Sequence, residues 1–218
     1  MATNNISSEQ HARLKKDIFD ILLKNGMKKA TMDMVASKLA MSKRTLYEIF
    51  ENKEDMIKEV IDYSHRLHHK ECIRIFQEAP NMMEAFYNML HYQQEFMKKA
   101  NPCFFRDMDS KYSKIRPAYD GHNDRWESDM RSVIEIGKEQ GVFSNDINYT
   151  VLLPMLRIQM ESLKRMEEFM PSYITLPEAI DTVTMSFLRS IASPKGMEIL
   201  EAKAKNYYAD NNTESNPE

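Results

Sequence analysis

The twenty residues from Met32 to Glu51 carry a pattern that few folds accommodate. Counting Met32 as the first position, apolar side chains fall at the fourth, eighth, tenth, fifteenth and eighteenth: Val35, Leu39, Met41, Leu46 and Ile49. The small Ala36 stands at the fifth, where two crossing helices would approach most closely. Apolar stripes at helical spacing bury against a partner, and a small residue lets the backbones meet. Together these matches predict a helix-turn-helix. A short exposed helix held at a fixed angle in this way can enter the major groove of duplex DNA.

The polar residues of the second helix fit that use. Lys43, Arg44, Tyr47 and Glu48 follow at i, i+1, i+4 and i+5, on one face, while Leu46, Ile49 and Phe50 lie on the other. Ser42 is placed to cap the helix start, and the N–H groups of a first turn attract phosphate. Lys43 and Arg44 can donate to guanine O6 and N7, and Glu48 can accept from cytosine N4. The competing reading is a solvated charged face on an ordinary core helix; the full template favours DNA.

From Ile18 to Ile57 the sequence resembles the TetR family of bacterial transcriptional regulators. The resemblance rests on Gly26, Thr31, Val35-Ala36, Met41-Ser42, Thr45-Leu46-Tyr47, Phe50 and Asn52-Lys53-Glu54-Asp55-Met56. It implies phosphate contacts for Thr31, Thr45 and Tyr47, a backbone-gripping role for Lys53, and base contacts for Lys43 and Arg44. Phosphate contacts set register and base contacts set sequence, so only the last pair should change operator preference. One departure concerns the turn, where the family usually has Gly and this chain has Ala40. A residue at positive φ there costs about 1 kcal/mol when it is not Gly.

The 218-residue chain has a formal net charge of −3, so it is not basic as a whole. The charge is unevenly spread. Up to Lys53 there are ten Lys and Arg against six Asp and Glu, which leaves an acidic remainder. A positive head on an acidic body suits phosphate contact by the head alone. Cys72 and Cys103 are the two cysteines, with no CxxC, which points to a reducing compartment. The first ten residues lack the basic and apolar segments of a signal peptide, and no apolar run is long enough to span a bilayer. A cytoplasmic location is expected.

Five Gly and no useful alternating runs predict an all-α fold of about nine helices. The first should run from Ser7 or Ser8 to Asn25, with Leu14, Ile18 and Leu22 buried. A fourth should run from Asn52 to about Glu78, and the next from Asn81 until Asn101-Pro102. Others are expected at about 103–112, 116–140, 147–170 and 177–192, with Pro154 removing a backbone bond from its helix. The expected domains are a helix-turn-helix domain over 1–52, a helical regulatory and dimerisation domain over 53–207, and a disordered polar tail over 208–218.

Eighteen Met is a high count, and many cluster with Phe and Tyr after residue 80. Met adapts to irregular apolar space. The resemblance implies that this region holds a small-molecule effector, here expected to be apolar or amphipathic. Tyr92, Phe96, Phe104, Phe105, Trp126, Met130, Met155 and Gln159 are the candidate lining residues, against the plainer reading of core packing. The last two long helices resemble the family's dimer interface, through Leu152, Leu156, Met160, Leu163, Ile180, Val183, Thr184, Phe187, Leu188 and Ile191. A two-fold homodimer would present two recognition helices to a palindromic operator. The same residues could instead close the monomer's own core.

Two other classes compete. His65, His68, His69 and Cys72 stand at i, i+3, i+4 and i+7 on one broad face of the fourth helix. Imidazoles at i and i+4 with a thiolate one turn on can bind a transition metal, so a metal- or redox-responsive regulator using His65, His69 and Cys72 is the alternative. An enzyme is disfavoured: the chain has no nucleophile elbow, HExxH, P-loop or Gly-rich nucleotide fingerprint. No cofactor is expected.

Overall fold

In the computed structural model, residues 7–110, 112, 123–163, 171 and 173–213 are described. They form ten α-helices: α1 Ser8–Asn25, α2 Met32–Lys38, α3 Lys43–Ile49, α4 Lys53–Glu78, α5 Met82–Lys99, α6 Pro102–Ser110, α7 Asn123–Glu139, α8 Tyr149–Leu163, α9 Leu176–Ile191 and α10 Pro194–Thr213. The fold is all-α, with one isolated bridge between Phe143 and Ala192. None of these helices is long and apolar enough to cross a membrane.

The chain divides into two compact units. One comprises Met1–Glu71 with Lys99–Tyr119, the other Cys72–Lys98 with Asp120–Glu218. In the first, α1 opens with a capping box between Ser7 and Gln10, which satisfies backbone donors that a helix start leaves bare. Ile18 and Leu22 are fully buried along its inner stripe, as the periodicity predicts. Gly26 ends it at φ 78 and ψ 152, where its N–H still bonds to the carbonyl of Leu22. Only glycine adopts that conformation without strain. A side chain there would also lie 3.1 Å from Cβ of Cys103 and 3.2 Å from Oδ2 of Asp107, so α6 closes on the turn. The same docking brings Phe104 edge-on to Phe19, with centroids 5.8 Å apart. It also bonds the N–H of Asn101 to the carbonyl of Leu23 at 2.8 Å.

In the second unit, Met83, Ile134, Val142, Phe143, Leu153, Leu188, Ile191 and Leu200 form a continuous buried core. Gly137 is required by close approach: a Cβ there would collide with the ring of Phe143. Pro154 sits inside α8, and its missing N–H deprives the carbonyl of Thr150 of a helical donor. Helix α9 starts on a capping box between Thr175 and Glu178, with Pro177 in its first turn.

Helix α10 lies beyond the last helix expected from sequence. Pro194 opens it, and Pro is favoured at the first helical position, where its missing N–H costs nothing. Ser193 caps the start by accepting from the N–H of Gly196 at 3.0 Å, and its hydroxyl donates to the carbonyl of Gly141 at 2.6 Å. The backbone stays helical to Thr213, which takes in the first residues of the stretch expected to be disordered. Elsewhere the bounds agree to within a few residues. The remainder of the expected 116–140 and 147–170 helices lies partly outside the described residues.

Candidate nucleic-acid interface

Helix α2 starts at Thr31, whose hydroxyl oxygen accepts from the N–H of Met34 at 3.1 Å. The helix closes in a Schellman turn. The N–H of Met41 bonds to the carbonyl of Ala36 at 2.9 Å and that of Ala40 to Ser37 at 3.2 Å. Ala40 takes φ 51 there, the left-handed conformation for which glycine is the usual residue. Helix α3 follows with Ser42 as its cap, accepting from the N–H of Thr45 at 3.0 Å and sharing a 2.8 Å hydrogen bond with the Thr45 hydroxyl. Val35, Ala36, Leu46 and Phe50 are buried beneath the pair. Leu39, Met41 and Ile49 are half-buried.

The opposite face of α3 is exposed and charged, but each cation has a carboxylate partner. Nζ of Lys43 stands 2.7 Å from Oδ1 of Asp33 on α2, and Nε of Arg44 lies 3.0 Å from Oε1 of Glu48 one turn on. The hydrogen bond to Asp33, followed by its charge, raises the Lys43 pKa above the usual lysine value. The ammonium also lies 6.0 Å from the ring centroid of Tyr47, itself about half exposed. Exposed pairs of this kind are worth about 0–1 kcal/mol, so a polyanion can take the cations from their partners. Glu48, expected to meet cytosine, is thus engaged by Arg44 in the unbound chain. Thr31 and Ser42 serve the backbone as caps, and what they can offer a phosphate is their hydroxyl proton.

Lys53 opens α4, and its ammonium donates to the carbonyl of Lys28 at 2.9 Å. Lys28 lies in the connection between α1 and α2. Its N–H donates to Oδ2 of Asp107 at 2.7 Å, and its ammonium stands 3.6 Å from Oδ1. Asp107 is 4% exposed. Asp33, Lys28 and Asp107 are missing from the sequence-based site. The partners are ten or more positions apart on different elements, so no periodicity links them. An open cleft of about 300 Å³ lies beside this region, lined by Asp20, Ile21, Lys24, Asn25 and Lys38.

The expected effector residues do not gather in one unit. Phe104 and Phe105 belong to the first, where their rings meet edge-on at 5.5 Å and Phe104 is buried. Tyr92 and Phe96 on α5 are half-buried in the second, and Met130 packs against its core. Met155 and Gln159 are exposed on α8. Trp126 lies on α7, and its side chain is outside the described residues.

The histidine face of α4 does not converge on a metal site. Among the described residues no three His, Cys, Asp or Glu side chains are grouped to hold an ion. The Cys72 thiol instead donates to the Met89 sulfur at 3.7 Å. His69 is exposed while His65 and His68 are half-buried, and burial, then the charges of His65 and His69, lowers the His68 pKa. Among the described residues the metal-responsive alternative thus finds no grouped ligand set.

Residues 19–60 match the sequence profile described as bacterial regulatory proteins, tetR family. The matched segment is that of the TetR family. It holds the helix-turn-helix of α2 and α3. No curated protein matches the sequence at the level required. The fold is shared with a TetR-family regulator from Agrobacterium tumefaciens, at TM-score 0.63 and 9% identity, covering 86% of this chain and 100% of that one. It is shared too with a protein from Saccharomonospora viridis described as a transcriptional regulator in complex with choline, at TM-score 0.62 and 17% identity over 86% and 100%. A TetR-family regulator from Streptomyces coelicolor aligns at TM-score 0.60 and 15% identity over 86% and 98%. At these identities the likeness is one of fold.

Proposed function

We propose that this TetR-family chain is a repressor that binds a palindromic operator as a homodimer and is released by a small apolar or amphipathic effector. The observation that carries the DNA reading is the exposed face of α3, where Lys43, Arg44 and Tyr47 stand outward over a buried Leu46. Lys43 and Arg44 read bases after exchanging Asp33 and Glu48 for guanine acceptors, and Glu48 is then released toward cytosine. Thr31, Ser42, Thr45, Tyr47 and Lys53 contact phosphates and set the register.

Support for pairing comes from α8. Val151, Met155 and Ile158, at i, i+4 and i+7, are 52%, 52% and 61% exposed, an apolar stripe that a second copy would cover. The effector reading draws on the half-buried Tyr92, Phe96 and Met130, and on the choline held by the Saccharomonospora neighbour of this fold. An effector releases DNA only if it binds the other conformation more tightly, and a 5- to 150-fold effect requires about 1–3 kcal/mol of differential affinity.

Selection from a random duplex pool tests the reading. A palindrome should be enriched, and Lys43→Ala and Arg44→Ala should shift its sequence. About 8–12 phosphate contacts per dimer predict a log–log salt slope of about −7 to −11. No preference for any duplex at low ionic strength would refute it.

A further inference from the structure

We infer that Asp107 on α6 is a positioning residue for DNA binding, acting through Lys28 to hold the ammonium of Lys53. The inference rests on the reading of Lys53 as a phosphate contact. Asp107 is the buried charged side chain among the described residues, at 4% exposure. A carboxylate is kept from water only where it gains bonds in exchange. Here the gain comes from residue 28: its N–H at 2.7 Å on one oxygen and its ammonium at 3.6 Å from the other.

Both backbone polar groups of Lys28 are thereby committed. The N–H is fixed by Asp107, and the carbonyl accepts from Nζ of Lys53 at 2.9 Å. The residue lies outside any helix, so no helical ladder holds its dihedrals. Two opposed anchors do so instead. The approach of α6 is close because residue 26 is Gly: a side chain there would press on Cys103 and Asp107. Loss of the Asp107 carboxylate frees the Lys28 N–H, lets the connection rotate, and turns away the carbonyl that aims Lys53. An ammonium on four flexible carbons then spends its entropy on finding the phosphate for itself.

A double-mutant cycle on the full chain tests this, with a mixed-sequence duplex at low salt as the probe, since phosphate contacts need no particular sequence. Lys53→Met should weaken binding about fivefold and reduce the salt slope by about one per subunit engaged. Asp107→Ala should give a similar loss, while Asp107→Asn, which retains an acceptor for the Lys28 N–H, should recover most of it. In the Lys53→Met background, Asp107→Ala should cause no further loss. Additive losses, or an unchanged slope in Asp107→Ala, would overturn the inference while leaving DNA binding intact. Should Asp107→Ala fail to fold, Asp107→Ser takes its place in the same cycle. A wild-type chain with no salt-dependent affinity would sink this inference together with the DNA reading.

Discussion

At the scale of single residues, Ala40 stores strain in the turn of the helix-turn-helix. Its φ of 51 costs about 1–2 kcal/mol for a residue with a Cβ, and it is solvent-exposed, so no packing is lost on replacement. Ala40→Gly relieves that cost and gives back some through unfolded-state entropy, about 0.4–1 kcal/mol. The net gain should be about 0.5–1 kcal/mol, read as a higher midpoint in urea; a lower midpoint would show that the turn does not need the left-handed form. Asp33 is the second such residue. Asp33→Asn removes the partner of Lys43 at 2.7 Å and a negative charge from the groove-facing surface. Affinity for mixed-sequence duplex should rise about two- to fivefold, the equivalent of about 0.5–1 kcal/mol. Fluorescence anisotropy at low salt measures it, and equal affinities would mean that the pair does not oppose binding.

At the scale of elements, legibility in the sequence followed the range of the forces. Helices α1 to α5 could be read because their signals are local: Ser7 with Gln10, Thr31, Ser42 and Asn81 cap their starts, and Gly26 breaks α1. Helix α10 could not, because its start depends on Ser193 bonding to Gly141, fifty-two positions earlier. The pocket residues show the same limit. Periodicity places Met155 on a helix but does not say that its face is bare. The exposed stripe of α8 yields a direct test of pairing. Ile158→Glu should convert a dimer to a monomer in sedimentation analysis, with little change in the helical signal of the chain. A monomeric wild type, or a dimer untouched by the charge, would assign the stripe another use.

At the scale of the whole molecule, two histidines tie stability to pH. Burial lowers the pKa of His68 and, as the largest of several effects, that of His91, whose depression Asp181 partly offsets. The unfolded chain then binds more protons than the folded one in acid, so stability rises with pH there. The contribution is complete above the unfolded value of about 6.5 and is lost as pH falls through the folded values. Thermal midpoints should drop between about pH 7 and pH 5, and His91→Asn should flatten part of that slope. A mutant with the wild-type slope would place the proton uptake elsewhere.

The order of residues alone determined the all-α class, the helix-turn-helix and the outward face of its second helix. Those depend on period, capping and turn chemistry within a few residues of each other. Folding in three dimensions decided which cations are already partnered and which carboxylate is buried. It also decided which stripe of α8 remains uncovered. Ion pairs such as Asp33 with Lys43, and the bond from Asp107 to Lys28, join positions whose separation along the chain carries no periodic trace. Such partners are recognisable only once packing has brought them within hydrogen-bonding distance.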